Sequence, residues 1–122
     1  MLRNAKQVSF VGVSDLDAAE RFYGGVLGLP LEDQRPFALV CDSGPTQLRI
    51  TLVDEVRAAQ YTVLGWEVSN LEDEIDRLVD EGVAFNRYEG MGQDERGIWS
   101  SPSGARIAWF LDPDGNNISL RA

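Results

Sequence analysis

The hydrophobic pattern of the chain switches from a strand-like period of two to a helical period near 3.6, and it does so twice. Residues 8–13 (Val-Ser-Phe-Val-Gly-Val) and 63–68 (Val-Leu-Gly-Trp-Glu-Val) read as strands. Each runs into the same local grammar: Val13-Ser14-Asp15-Leu16-Asp17 recurs 55 residues on as Val68-Ser69-Asn70-Leu71-Glu72. Ser14-x-x-Asp17 and Ser69-x-x-Glu72 predict helix N-caps, the second a regular capping box. Leu16, Ala19, Phe22, Val26 and Leu27 then share one helical face, as do Leu71, Ile75, Leu78 and Val79. Gly28 and Gly82 stand where a helix ends on a residue tolerant of positive φ.

Short strand patterns follow each helix, at 31–34, 37–42 and 47–53, then at 83–88, 105–112 and 117–121. The halves close on matching triplets, Ile50-Thr51-Leu52 and Ile118-Ser119-Leu120, 68 residues apart. The excess of about 13 residues over the first repeat falls in the polar, Gly-rich stretch 89–104. The expectation is one α+β domain over 1–122, built from two tandem βαβββ modules at about 5–55 and 60–122. One helix covers one face of a sheet, so each sheet's other face must meet its counterpart or a ligand.

Composition sharpens this. The 122 residues contain no histidine, which excludes Ser-His-Asp and Cys-His nucleophiles, a histidine base and His-ligated metals. The single cysteine, Cys41, has no basic sequence neighbour and reads as an inert thiol. With 20 acidic against 11 basic residues the net charge is −9, and Lys6 is the sole lysine, so nucleic acid is not an expected partner. Six of the acids lie in 71–81, where the first-turn members suit the helix dipole and the rest form a solvated face. Apolar runs are far too short to span a membrane, and the start Met1-Leu2-Arg3-Asn4-Ala5-Lys6 leads into no apolar signal region, so a cytoplasmic protein is expected.

Three local motifs lead nowhere. Asp112-x-Asp114-x-Asn116 has glycine in the wrong place for a calcium loop and reads as a tight turn. Gly90-x-Gly92-x-x-x-x-Gly97 lacks the spacing and the Lys-Ser/Thr of a phosphate loop. Asn117-Ile118-Ser119 matches a glycosylation sequon only by coincidence in a chain read as cytoplasmic.

A strand, then Val-x-Asp-Leu, then a helix ending Phe22-Tyr23-x-x-x-Leu27-Gly28, and finally Phe110-Leu111-Asp112-Pro113-Asp114-Gly115-Asn116 before the last strand resembles the vicinal oxygen chelate superfamily of glyoxalases, bleomycin-resistance proteins and extradiol dioxygenases. The resemblance spans nearly the whole chain. It implies curled mixed sheets around a cleft and four metal-ligand positions, which fall here on Val8, Thr51, Val63 and Ser119. None of these is a histidine or carboxylate, so neither a metal site nor a cofactor is expected.

Strand alternation from those positions turns Val8, Phe10, Gly12, Arg49, Thr51, Val53, Val63, Gly65, Glu67, Asn117, Ser119 and Arg121 toward the cleft. It turns Val11, Val13, Leu48, Ile50, Leu52, Leu64, Trp66, Val68, Ile118 and Leu120 toward the helices, with Trp66 expected in the core. Ala108 and Phe110 read as helix-facing, which aims Ile107 and Trp109 at the cleft; Tyr88 and Trp99 border the insertion, and Phe37 is assigned to the first module's side. The expected ligand site is Val8, Phe10, Phe37, Arg49, Thr51, Val63, Gly65, Glu67, Tyr88, Trp99, Trp109, Ser119 and Arg121. Alternatives stay open at three of these. Arg49 and Glu67 could form an internal ion pair, Trp109 could serve a dimer interface, and Trp99 could anchor a loop.

The leading expectation is a metal-independent protein, homodimeric, that sequesters a small, partly aromatic molecule in an inter-module cleft. The second is a metal-free lyase or isomerase with Glu67 or a tyrosine (Tyr61, Tyr88) as acid or base. A divalent-metal glyoxalase or dioxygenase would need an all-oxygen site, and a partner-binding module would have a collapsed cleft.

Overall fold

The repeat surfaces in the backbone at the two helix starts. In a computed structural model describing residues 1–122, α1 begins at Leu16 (Leu16–Ala19) and α2 at Leu71 (Leu71–Asp80). Their caps sit one residue beyond the expected serines. The Asp15 carboxylate accepts from the amides of Asp17 and Ala18, and the Asn70 side chain accepts from the Asp73 amide. Asp and Asn cap as well as Ser, and here they directly precede the first helical leucine. Glu72, freed from a capping box, pairs with Arg106.

After Ala19 the first helix widens into a π-helical segment, Glu20–Val26, in which the Leu27 amide donates to the Phe22 carbonyl five residues back, at 2.9 Å. The wider turn rotates the buried face by one residue. Tyr23, not Phe22, enters the core at 0% exposure, and half-buried Phe22 meets it edge-on with ring centroids 5.2 Å apart. Gly28, at φ +76°, ends the segment as expected.

The strands fall into two units, Met1–Arg57 and Ala58–Ala122. The first holds β1 (Gln7–Val13), β2 (Glu32–Gln34), β3 (Ala38–Asp42) and β4 (Thr46–Leu52) in the order β1-β4-β3-β2. The second holds β5 (Leu64–Glu67), β6 (Trp99–Ser100), β7 (Arg106–Leu111) and β8 (Asn117–Arg121) in the order β5-β8-β7-β6. In each, first and last strands pair in parallel and the other pairings are antiparallel, so the same βαβββ topology occurs twice.

Alternation assigns the buried faces correctly. Val11, Val13, Leu48 and Ile50 are buried in the first unit; Leu64, Ala108, Phe110, Ile118 and Leu120 are buried in the second, as are Leu71, Ile75 and Leu78 of α2. Three residues of the expected inner set are less enclosed, for reasons of position. Leu52 ends its strand and is 42% exposed; Trp66 lies on edge strand β5, and Val68 lies just past its end, both half-buried.

The main departure is at 83–88, which forms no strand. Phe85 makes one bridge to Phe110, the Asn86 amide donates to the Trp109 carbonyl at 2.7 Å, and the rest of that edge of β7 is taken by β6 from within the insertion. The Gln93 side chain explains why. Its oxygen accepts from the Tyr88 amide at 2.7 Å while its nitrogen donates to the Asn86 and Gly97 carbonyls, so one amide satisfies backbone groups that a strand would pair. The Asp112 to Asn116 segment is the expected turn: Asp112 Oδ1 accepts from the amides of Asp114 and Asn116, and Gly115 takes φ +86°.

Phe110 links β7 to the 83–88 segment through Phe85, with ring centroids 5.3 Å apart, and is fully buried. Phe110→Ala is expected to lower the unfolding free energy by about 3–5 kcal/mol in urea titrations. A loss below about 1 kcal/mol would mean that this core is not packed as described.

Candidate functional site

The faces opposite the buried ones carry the candidate chemistry. In the first unit the register sets side chains in three rows: Val8, Gln47 and Asp42; Phe10, Arg49, Val40 and Glu32; Gly12, Thr51, Ala38 and Gln34. Phe10 and Val8 are bare, at 64% and 42% exposure. Arg49 reaches from β4 across β3 to β2, where Nη2 donates to Gln34 Oε1 at 2.9 Å, and Nη1 donates to Gln47 Oε1 at 3.5 Å. Val40 and Ala38 on the spanned strand are therefore buried on this side as well. At one edge Lys6 Nζ pairs with Asp42 at 2.5 Å and, as the largest cause, holds that carboxyl down to about 2. Neighbouring Cys41 is half-buried, and burial followed by the Asp42 charge pushes its thiol pKa up, as an unreactive cysteine requires. Phe37 is not part of these rows. It lies in the β2–β3 turn with the parity of Leu39, the helix-facing side, and is 72% exposed.

In the second unit the rows are Asn117 and Leu111; Gly65, Ser119 and Trp109; Glu67, Arg121, Ile107 and Trp99. Val63, just before β5, donates its amide to the Asn117 carbonyl and is 39% exposed. Gly65 keeps the face low: a Cβ there would stand 3.1 Å from Ser119 Oγ. Glu67, the acid proposed for catalysis, is exposed in the row of Arg121, without the apolar enclosure that sets apart a buried general base.

Trp109 organises the remainder. Its ring centroid lies 6.1 Å from that of Trp99 and 5.6 Å from that of Tyr88, which meets it edge-on. Its indole N–H donates to Thr62 Oγ1 at 3.2 Å. The Tyr88 hydroxyl accepts from the side-chain amides of Asn86 and Asn117, each at 3.5 Å. Tyr61, Thr62, Tyr88, Met91, Trp109 and Asn117, together with Gln60, line a pocket of about 240 Å³ with no formally charged group in its wall. Asn117 is 6% exposed, and its Oδ1 has no hydrogen-bond partner.

A protein-family profile described as the Glyoxalase/Bleomycin resistance protein/Dioxygenase superfamily matches residues 6–120. The chain belongs to this superfamily. Solved structures agree on the fold. A superfamily member from Sphaerobacter thermophilus DSM 20745 is 21% identical over 99% of this chain and 98% of its own, with TM-score 0.74. A glyoxalase family protein from Enterococcus faecalis is 24% identical over all of both chains, at 0.72. A glyoxalase/bleomycin resistance protein from Streptomyces sp. CB03234 is 26% identical over 97% and 100%, at 0.65. No functionally curated protein matches the chain. No helix is long and apolar enough to cross a membrane.

The metal-ligand positions that the resemblance implies can be compared in register. Val63 lies beside Asn117, with Ser119 two residues further along the last strand; Val8 lies beside Gln47, and two residues further along stands Arg49. The matching triplets misplace this correspondence, since Thr51 is four residues beyond Gln47. The first unit thus offers an alkyl group and a guanidinium, the second an alkyl group and one hydroxyl. A guanidinium repels a cation and cannot donate a lone pair, and nowhere do three His, Cys, Asp or Glu side chains converge as a metal-holding group. These residues do not fit a divalent metal.

Tyr88, Trp99 and Trp109, three residues of the expected set, stand together on this face. Thr62, Met91, Gln60 and the special position of Asn117 were missed. Alternation puts Asn117 on the open face, where it is nevertheless buried and its side-chain amide donates to the Tyr88 hydroxyl. Gln93 positions Tyr88, so Gln93→Ala is expected to speed amide exchange across 86–97 by tenfold or more while β8 stays protected, in line with about 1–3 kcal/mol for unpaired buried groups. Unchanged exchange in that segment would contradict this role.

Proposed function

We propose that this superfamily member is a metal-independent binding protein for a small, partly aromatic molecule, held on the open face of the second sheet against Trp109. The observation that carries the reading is an uncharged aromatic pocket at Trp109 in a chain whose metal positions hold Val8, Arg49, Val63 and Ser119. Such a mixture of apolar walls and a few polar groups is the usual make-up of a small-molecule site. Covering about 100 Å² of ligand and ring surface contributes on the order of 2.5 kcal/mol before ordering costs, so several such contacts are needed for useful affinity. Glu67 is exposed and lies outside this pocket, which supports binding over acid–base chemistry by that carboxylate.

A thermal-shift screen of aromatic metabolites and antibiotics tests the proposal. A ligand at a hundred times its Kd should stabilise the protein by about 2.7 kcal/mol, raising Tm by several degrees equally with and without EDTA. Trp109→Ala should remove the shift. A shift that appears only with divalent metal would contradict the proposal.

A further inference from the structure

We infer that the molecule taken by the Trp109 pocket is a cation, an alkylated ammonium compound recognised through the faces of aromatic rings. The inference rests on the binding reading above and names the charge and chemical class of that ligand.

Three rings line the pocket, those of Tyr61, Tyr88 and Trp109, with the Met91 thioether among them. The Tyr88 and Trp109 rings stand at 84° with centroids 5.6 Å apart, so they form two walls of a corner and not a stack. Tyr61 is 73% exposed and Tyr88 is 38% exposed, which leaves both open to a molecule arriving from solvent. The polar ends of the corner rings are already engaged. The Trp109 indole N–H donates to Thr62 Oγ1, and the Tyr88 hydroxyl accepts from the side-chain amides of Asn86 and Asn117. These bonds hold the rings in place and leave their carbon surface to a ligand. Ring faces carry the negative part of the aromatic quadrupole. A cation set in the corner is attracted to each face it meets, most strongly to that of tryptophan.

Charge narrows the class further. No basic side chain lines the pocket, and the one basic residue adjacent in sequence to a lining residue, Arg87, is directed to the Glu95 carbonyl. The net charge of −9 draws cations toward the chain as a whole. An anion would meet the negative ring faces with no counter-charge in the wall. A primary ammonium would bring N–H groups that lose water against carbon surface, whereas an alkylated one presents methyl groups to the rings and the thioether. A cavity of about 150 Å³ holds one benzene ring, so the pocket's volume of about 240 Å³ admits a trimethylammonium group with a short chain or ring attached.

The test titrates the full chain, ¹⁵N-labelled, with choline, its neutral isostere 3,3-dimethylbutan-1-ol and the neutral aromatic benzyl alcohol, following the Trp109 indole N–H by NMR. Choline is expected to bind about fivefold or more tightly than the isostere, which has the same shape without the charge. Tyr88→Phe should keep that preference and Tyr88→Leu should cut it by about threefold or more, because the ring and not the hydroxyl meets the cation. An unchanged preference in Tyr88→Leu overturns the inference. If that variant fails to fold, Tyr61→Leu, at an exposed position, decides by the same criterion. Binding of the isostere as tightly as choline, or binding of benzyl alcohol alone, overturns the recognition of cations while leaving the aromatic pocket standing. No perturbation of Trp109 by any of the three probes overturns both.

Discussion

A four-stranded sheet has two faces, and each unit of this chain has a single helix longer than one turn with which to cover them. That shortage shapes both units. The buried face is apolar at nearly every position, from Val11 and Ile50 in one unit to Phe110 and Ile118 in the other. The other face is left to side chains that water tolerates or that shield their own strands. The units solve this differently. In the first, Arg49 lies across β3, held by Gln34 and Gln47, and acts as cover for Val40 and Ala38. In the second, the insertion brings Tyr88 against Trp109 and leaves a pocket. One topology thus yields a face partly covered by an arginine and a face that carries a pocket.

Whether a feature could be read in the sequence depends on whether the interactions behind it are local. The repeat of Val-Ser-Asp/Asn-Leu located both helices, because a cap and the leucine after it are neighbours in the chain. Period-two alternation sorted the inner and outer faces, because pleating is set by the backbone alone. Register was not legible. The two closing triplets suggested that Thr51 and Ser119 correspond, yet pairing against the first strands makes Arg49 the counterpart of Ser119. A slip of two residues preserves parity, so the face assignments survived an error in correspondence.

The remaining misses are long-range or cooperative. Nothing in the run Phe22-Tyr23-Gly24-Gly25 announces a widened helical turn, yet that turn decides which aromatic is buried. Nor does the Gly-rich stretch announce that one glutamine will satisfy three backbone groups and replace an expected strand with a two-residue one. Asn117 looked like one more polar residue at the start of a strand. It is buried, and its side-chain amide meets the hydroxyl of Tyr88, 29 residues away in the chain.

The absence of histidine gains its meaning in this setting. Within a superfamily in which resemblance implies metal-bound oxygen chemistry, the corresponding positions here hold two valines, an arginine and a serine. What the second unit offers instead is neutral hydrogen bonding beside aromatic rings. The most direct measurement is a crystal structure of the protein as purified from cells, with anomalous data collected above the transition-metal edges. Density for a flat organic molecule against Trp109, with no anomalous peak, is the predicted result. A metal peak coordinated by Ser119 or its neighbours would contradict it.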